Sequence, residues 1–354
     1  MATTRFQGEN PELDGLYGDL AEADLQPLWL QERLLTAAPP QRSVPFCWKA
    51  KDVYPLAERA RRLVPIERGG DRRVLMFSNP GMGGWCMATS TMSAAIQILG
   101  PGEIAPAHRH TAAAIRFILE GSGAVTLVDG DAIPMIPGDL VLTPNWTWHE
   151  HHNPTDERVL WLDVLDLALV IWLDAMFFEP GPDAPDPGPS PSGSTSERRF
   201  GRSGIVPVSG AGGGAYSPLF VYRWSDVDAV LDDILGGIAA HHASVRYSDP
   251  VRGGDVMPTL RCEAHRLRPG GAADFGRATG SAMWTVFTGE GVASVGDSTF
   301  EVEPGDTYVV PSWCPHRLET AAGADLFTVG DAPTFEALGL MRRRPPDAGE
   351  RSER

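Results

Sequence analysis

The chain has 354 residues, 42% of them hydrophobic, and its 30 Lys and Arg against 46 Asp and Glu give a net charge of −16. That length predicts two domains. The acidic balance argues against nucleic acid or an anionic membrane surface as partner, and it leaves an acidic substrate to be held by local arginines.

The first residues, MATTRFQGEN, contain no apolar run, so no signal peptide is expected. Helical spacing over 11–36 and 50–62 predicts an N-terminal helical cap within 1–72. From Arg73 onward short apolar runs alternate with turn signals (RRVLMF, SAAIQIL, AIRFIL, AVTLV, DLVLT, RVLWLDVL), which predicts an all-β domain over 73–179. The most apolar stretch, 159–178, is interrupted by Asp163, Asp166 and Asp174. Each would cost about 2.5–3.5 kcal/mol at a bilayer centre, so a strand followed by a helix is expected there, not a membrane span. Residues 180–214 are rich in Pro, Gly and Ser and predict a disordered linker. A helix is expected at 225–242, and strand texture resumes at about 258, giving a second β domain over 215–345. Cys47, Cys86, Cys262 and Cys314 form no CxxC pair, which suits a reducing, cytoplasmic setting.

The two β domains repeat one another. Pro101 and Gly121 recur as Pro269 and Gly289, each 168 residues on, and Pro144 recurs as Pro311. A whole β unit is duplicated.

Five of the nine histidines lie between 108 and 152. His108 and His110 form an HxH pair, and residues i and i+2 of a strand face the same side, so both rings can share one metal. The run GDLVLTPNWTWH delivers His149 from a proline turn as the third ligand. In the second unit Gly276 and Ala278 stand where His108 and His110 stand in the first, and His316 alone remains of the triad. That unit is expected to bind no metal.

These segments resemble the two cupin motifs. Gly102, His108, His110 and Gly121 match the first, and Gly138, Pro144, His149 and Asn153 match the second. Ala114 occupies the usual glutamate ligand position and Trp146 the second motif's glycine. More narrowly, HRHTAAAIRFILEG, GDLVLTPNWTWHEHHN, RRVLMFSNPG and LDAMFFEP resemble the gentisate 1,2-dioxygenase family, which includes salicylate and 1-hydroxy-2-naphthoate dioxygenases. The resemblance implies a bicupin with an N-terminal helical cap and one Fe(II) per chain on His108, His110 and His149. Imidazole ligands alone would suit zinc, copper or nickel as well.

Around the triad, Arg116 has the parity of His110 and is expected on the inward face. There it either pairs with a buried acid such as Asp163 or grips a substrate carboxylate, the role the resemblance implies. The resemblance gives Gln97 a substrate contact and one of Arg72 and Arg73 a second cationic contact. His151, two residues from His149, is expected in the same cavity as a proton-transfer group, with Asp163 orienting His151 or Arg116. His152, of opposite parity, is expected in solvent.

The function implied is ring cleavage of a hydroxylated aromatic carboxylic acid by O2, gentisate to maleylpyruvate first, in a cytoplasmic homo-oligomer. The same chemistry on salicylate, a substituted salicylate or 1-hydroxy-2-naphthoate is the alternative, and a non-dioxygenase metal- or ligand-binding bicupin is a third reading.

Overall fold

The computed structural model describes residues 9–32, 34–64, 73–181, 193–208, 214–237 and 239–346. Residues up to Pro40 form one compact unit. Its helix α1 (Pro11–Glu22) starts at Asn10, whose side chain accepts from the N–H groups of Glu12 and Leu13, with proline at the first helical position. The expected continuation to 36 fails because Asp24 adopts φ 54, a left-handed conformation that ends a helix. A single 3-10 turn, Leu28–Leu30, follows.

Residues from Gln41 onward form the second unit. Its first repeat runs β1 (Phe46–Trp48), α2 (Ala50–Leu63), β2 (Val74–Met76), β3 (Ser93–Leu99), β4 (Ile104–His110), β5 (Ala114–Glu120), β6 (Val125–Val128), β7 (Asp131–Pro134), β8 (Leu140–Thr143), β9 (His149–His152), β10 (Val159–Leu165), α3 (Leu167–Trp172) and β11 (Phe178–Pro180). After α4 (Thr195–Phe200), the second repeat runs β12 (Val221–Tyr222), α5 (Trp224–Gly237), β13 (His242–Arg246), β14 (Arg261–Leu267), β15 (Ala272–Ala278), β16 (Ala282–Gly289), β17 (Gly291–Val295), β18 (Ser298–Val302), β19 (Thr307–Val310), β20 (His316–Glu319), β21 (Ala324–Gly330), α6 (Ala332–Ala337) and β22 (Arg343–Arg344). The fold is a bicupin. One cupin combines the sheets β12-β8-β5-β10-β3-β2 and β11-β4-β9-β6-β7, and the other combines β1-β19-β16-β21-β14-β13 and β18-β17-β20-β15-β22.

The repeats exchange their first strands, and this corrects the expected domain limits. β1 lies in the stretch read as a helical cap, yet it pairs with β19 of the second cupin (Cys47↔Tyr308). β12 lies in the stretch read as the second domain, yet it pairs with β8 of the first (Val221↔Val141). Equivalent aspartates pin both exchanges. Asp139 accepts from the N–H of Trp224 at 2.9 Å and from Arg223 at 2.6 Å, and Asp306 accepts from the N–H of Ala50 at 2.8 Å and from Lys49. The helix start must come close to a glycine in both places. A Cβ on Gly138 (φ 89) would lie 2.7 Å from the Trp224 Cβ, and one on Gly305 (φ 83) would lie 2.9 Å from the Ala50 Cβ.

The expected linker is also corrected where it is described. Residues 193–208 include α4, capped by the Ser194 hydroxyl, with the N–H groups of Thr195 and Ser196 donating to Asp131 at 2.5 and 2.9 Å. Glu197 of α4 pairs with Arg223 at 2.7 Å. Local composition missed these long-range partners.

β3 (SAAIQIL) is buried at every position, because one of its faces lines a barrel and the other packs between the barrels. Ile96, Ile98, Ile115, Phe117, Leu160 and Leu162 join Met283, Val309, Phe327 and Val329 in one core, where Phe117 stacks on Phe327 at 4.3 Å. Among the described residues, no helix is long and apolar enough to cross a membrane.

Candidate metal centre and its cavity

β4 and β9 are neighbours in register, with His108 opposite His149. Between Ala105 and His108 the register shifts by one residue, a bulge that re-aims the end of β4. Pro106, which has no N–H to give to a ladder, sits in that bulge. β9 begins after Trp146, a non-glycine residue at φ 61. That strained turn is held by the Trp146 N–H donating to the His110 carbonyl at 2.8 Å, and by Arg109 lying 4.4 and 4.5 Å over the rings of Trp146 and Trp148.

The three rings converge. Their ligand nitrogens all lie within 4.8 Å of one another. In each ring Nδ1 meets a main-chain carbonyl: His108 with Pro106 at 2.9 Å, His110 with Ala112 at 2.7 Å and His149 with Thr147 at 3.0 Å. A carbonyl only accepts, so each Nδ1 carries the proton and each Nε2 keeps its lone pair, the arrangement of metal-ligating histidines. The His149 Nε2 is buried with no hydrogen-bond partner among the described residues. Burial, with Arg116 and the neighbouring rings, holds His149 well below the usual histidine pKa, so the ring is neutral. A divalent metal fits this donor set and satisfies the orphaned nitrogen.

β5, β10 and β3 form the opposite wall. Their register sets Arg116 beside Asp163 and Gln97 beside Trp161 on one inward face. Arg116 is not on the strand of His110, as the parity argument assumed; a turn at 111–113 separates β4 from β5. It still lies close enough to act on His149 and His151, because the two sheets face each other. Both readings of its partner hold in part. The Arg116 Nε lies 3.2 Å from Asp163 Oδ1, and Nη1 donates to the Thr143 hydroxyl. The Trp161 indole donates to the other Asp163 oxygen at 3.1 Å. Burial pushes the Asp163 carboxyl up to about 6, against the pull of Arg116 and the indole. Gln97 is buried on the same wall.

His151 is fully buried next to His149. Its Nδ1 lies 2.8 Å from the Thr126 hydroxyl, its ring lies 5.2 Å from that of Trp161, and its Nε2 has no hydrogen-bond partner among the described residues. Asp163 contacts Arg116 and Trp161 rather than His151. His152 corrects the solvent expectation: it is buried, with Nε2 3.1 Å from Glu150. Arg73 pairs with Glu103 and donates to the Arg61 carbonyl at 2.6 Å. That pairing engages Arg73 with the residue just before β4. Arg72 lies outside the described residues. Thr126 and Thr143 were missed by sequence reasoning. Their signal was a lone hydroxyl in each of two apolar strand runs, VTLV and LVLT.

In the second cupin Gly276 pairs with His316, as His108 pairs with His149. A Cβ on Gly276 (φ 66) would lie 2.3 Å from the Arg344 carbonyl oxygen, so β22 occupies the space a histidine would need. His316 Nε2 instead lies 3.1 Å from the Tyr308 hydroxyl, under Phe275 stacked at 4.7 Å. By the same registers Trp284 replaces Arg116, Thr328 replaces Asp163 and Val310 replaces Thr143.

Residues 95–165 and 265–329 each match the cupin domain family. The chain is 47% identical over 349 residues to a gentisate 1,2-dioxygenase of Streptomyces sp, covering 96% of this chain and 97% of that protein. It is 36% identical to a 5-aminosalicylate 1,2-dioxygenase of Comamonas sp, over 94% of this chain and 90% of that one. The crystal structure of a salicylate 1,2-dioxygenase from Pseudaminobacter salicylatoxidans superposes with a TM-score of 0.91 at 42% identity, covering 96% of this chain and 99% of that one. The same enzyme has been solved with gentisate (TM-score 0.91, 41% identity, 97% of this chain and 96% of that one).

Proposed function

This chain belongs to the gentisate 1,2-dioxygenase family of ring-cleaving dioxygenases, and on that premise we propose that it converts gentisate and O2 to maleylpyruvate, with one Fe(II) held by His108, His110 and His149. The observation that carries the substrate class is a buried guanidinium, Arg116, on the wall facing three neutral metal-ligating imidazoles. A water-excluded cation is the natural partner of a carboxylate, and the adjoining triad suits an acid bearing an ortho hydroxyl.

Fe(II) held by His108, His110 and His149 would supply Lewis acidity and the electrons that activate dioxygen. The remaining work falls to side chains. Arg116, ion-paired with Asp163 and donating from Nη1 to Thr143, offers the rest of its fork to the substrate carboxylate. Asp163 keeps that fork at one angle, and Trp161 keeps Asp163. Gln97 supplies an amide to the same end of the acid. His151 Nε2 takes the phenolic proton as the ring opens between the carbon bearing the carboxylate and its hydroxylated neighbour. Both oxygen atoms enter the product.

Salicylate is the second reading, favoured by the likeness to a salicylate 1,2-dioxygenase. Oxygen consumption by Fe(II)-loaded protein with gentisate, salicylate, 5-aminosalicylate and 1-hydroxy-2-naphthoate tests both. Gentisate is expected to support the fastest uptake. Faster turnover of salicylate would replace the first reading with the second, and no uptake with any acid would sink both.

A further inference from the structure

The duplicated fold provides an internal control for deciding which interior polar residues serve the chemistry. In the first cupin Thr126 stands opposite His151 on paired strands and also meets Met135: the Thr126 hydroxyl lies 2.8 Å from His151 Nδ1 and 3.2 Å from Met135 Sδ. All three are buried, at 0%, 1% and 0% exposure for Thr126, His151 and Met135. The second cupin has the same pairing with Ala293 opposite Leu318, and Val302 at the position of Met135. Those three form part of an apolar core. The fold therefore packs well with aliphatic side chains at all three places. The hydroxyl, imidazole and thioether occur together in the barrel that holds the histidine triad.

We propose that Thr126 is a positioning residue for His151 and that, with Met135, it selects the tautomer. A hydroxyl has one proton to donate. If it went to His151 Nδ1, Met135 Sδ would lose its donor and Nε2–H would face the cavity. If it goes to Met135 Sδ, the oxygen accepts from His151 Nδ1–H and both contacts are made. The second arrangement satisfies more buried groups, and buried groups left unpaired are costly. It leaves the Nε2 lone pair in the cavity, ready to accept a proton from a phenol. This rests on the dioxygenase reading for its purpose, but not for its geometry.

The test uses Thr126→Val, which keeps the shape and removes the hydroxyl, and Thr126→Ser, which restores it. In the Fe(II) enzyme, Thr126→Val is expected to lower kcat on the order of tenfold with KM within about twofold, a part of the usual gain from a placed base. Thr126→Ser should recover most of the loss. A kcat for Thr126→Val equal to wild type, or a Thr126→Ser variant as impaired as Thr126→Val, would overturn the proposal. Imidazole nitrogen NMR of the diamagnetic zinc-loaded protein, with His151→Asn for assignment, reads the tautomer without turnover. His151 is expected to carry its proton on Nδ1 in wild type and to shift toward Nε2–H in Thr126→Val. A wild-type ring protonated on Nε2 would overturn the proposal even if the enzyme is active. The expected tautomer in a protein that oxidises no acid would uphold the positioning while removing the function.

Discussion

Asp166 and Asp331 are one residue seen twice, each reaching out of its own cupin into the other. Asp331 accepts from the Ser281 N–H at 2.7 Å and from the Thr91 hydroxyl of the first repeat. Asp166 accepts from the Ala113 N–H at 2.8 Å and from the Thr259 hydroxyl of the second at 2.7 Å. The two clasps cross the shared core in opposite directions.

The clasp predicts a pH signature. Burial raises the Asp331 carboxyl to about 6, opposed by its bonds to Thr91 and Ser281. An acid whose folded pKa lies above its unfolded value contributes stability that is fully present below the unfolded pKa, near 3.8, and is lost as pH rises through about 6. Asp331→Asn should remove that loss. At about 1.4 kcal/mol per pKa unit, the change in unfolding free energy between pH 4 and 7 should differ from wild type by roughly 2 kcal/mol. Urea unfolding at the two pH values measures it.

Arg116→Ala should raise KM for the acid on the order of 10–100-fold, the scale of a charged hydrogen bond worth about 1.5–3 kcal/mol. Metal content should stay unchanged, because Arg116 is not among the converging nitrogens. Steady-state kinetics with parallel metal analysis separates the two effects.

Asp163→Ala should destabilise the fold by roughly 3–5 kcal/mol, since it leaves the Arg116 charge buried without its acid. Arg116→Met combined with Asp163→Leu should cost less than Asp163→Ala alone. Denaturant midpoints rank the three proteins.

His110→Ala and His149→Ala should each lower metal content well below the expected ratio of about one per chain, because two imidazoles make a weak site. Gly276→His with Ala278→His should not raise that ratio to two. The Arg344 carbonyl lies 2.3 Å from where a Cβ on Gly276 would sit. Elemental analysis of the purified proteins decides both outcomes.

The metal centre was legible because its ligands lie close in sequence on strands whose period is two. The same parity argument reached the right wall for Arg116 by a wrong route, across a turn it could not see. It failed for His152, whose outward face is covered. Arg72 and Arg73 could not be told apart, because an arginine near an apolar strand looks alike whether it meets a substrate or, as Arg73 does, Glu103. Thr126 and Thr143 stayed hidden because a hydroxyl in a strand means nothing until its opposite number is known. The strand exchange was illegible for the same reason: Cys47 and Tyr308 find each other across 261 residues.

That exchange bears on why a cupin without the histidine triad persists. A duplicate that has lost its chemistry is ordinarily free to drift or be deleted. Here the first cupin borrows β12 from its twin and lends it β1, so neither sheet is complete on its inheritance alone. The second copy cannot be discarded without taking a strand from the first. The second cupin is therefore held in place by its role in completing the first one's sheet, whatever becomes of its own interior, where Phe275, Trp284 and His316 line a cavity of about 270 Å³.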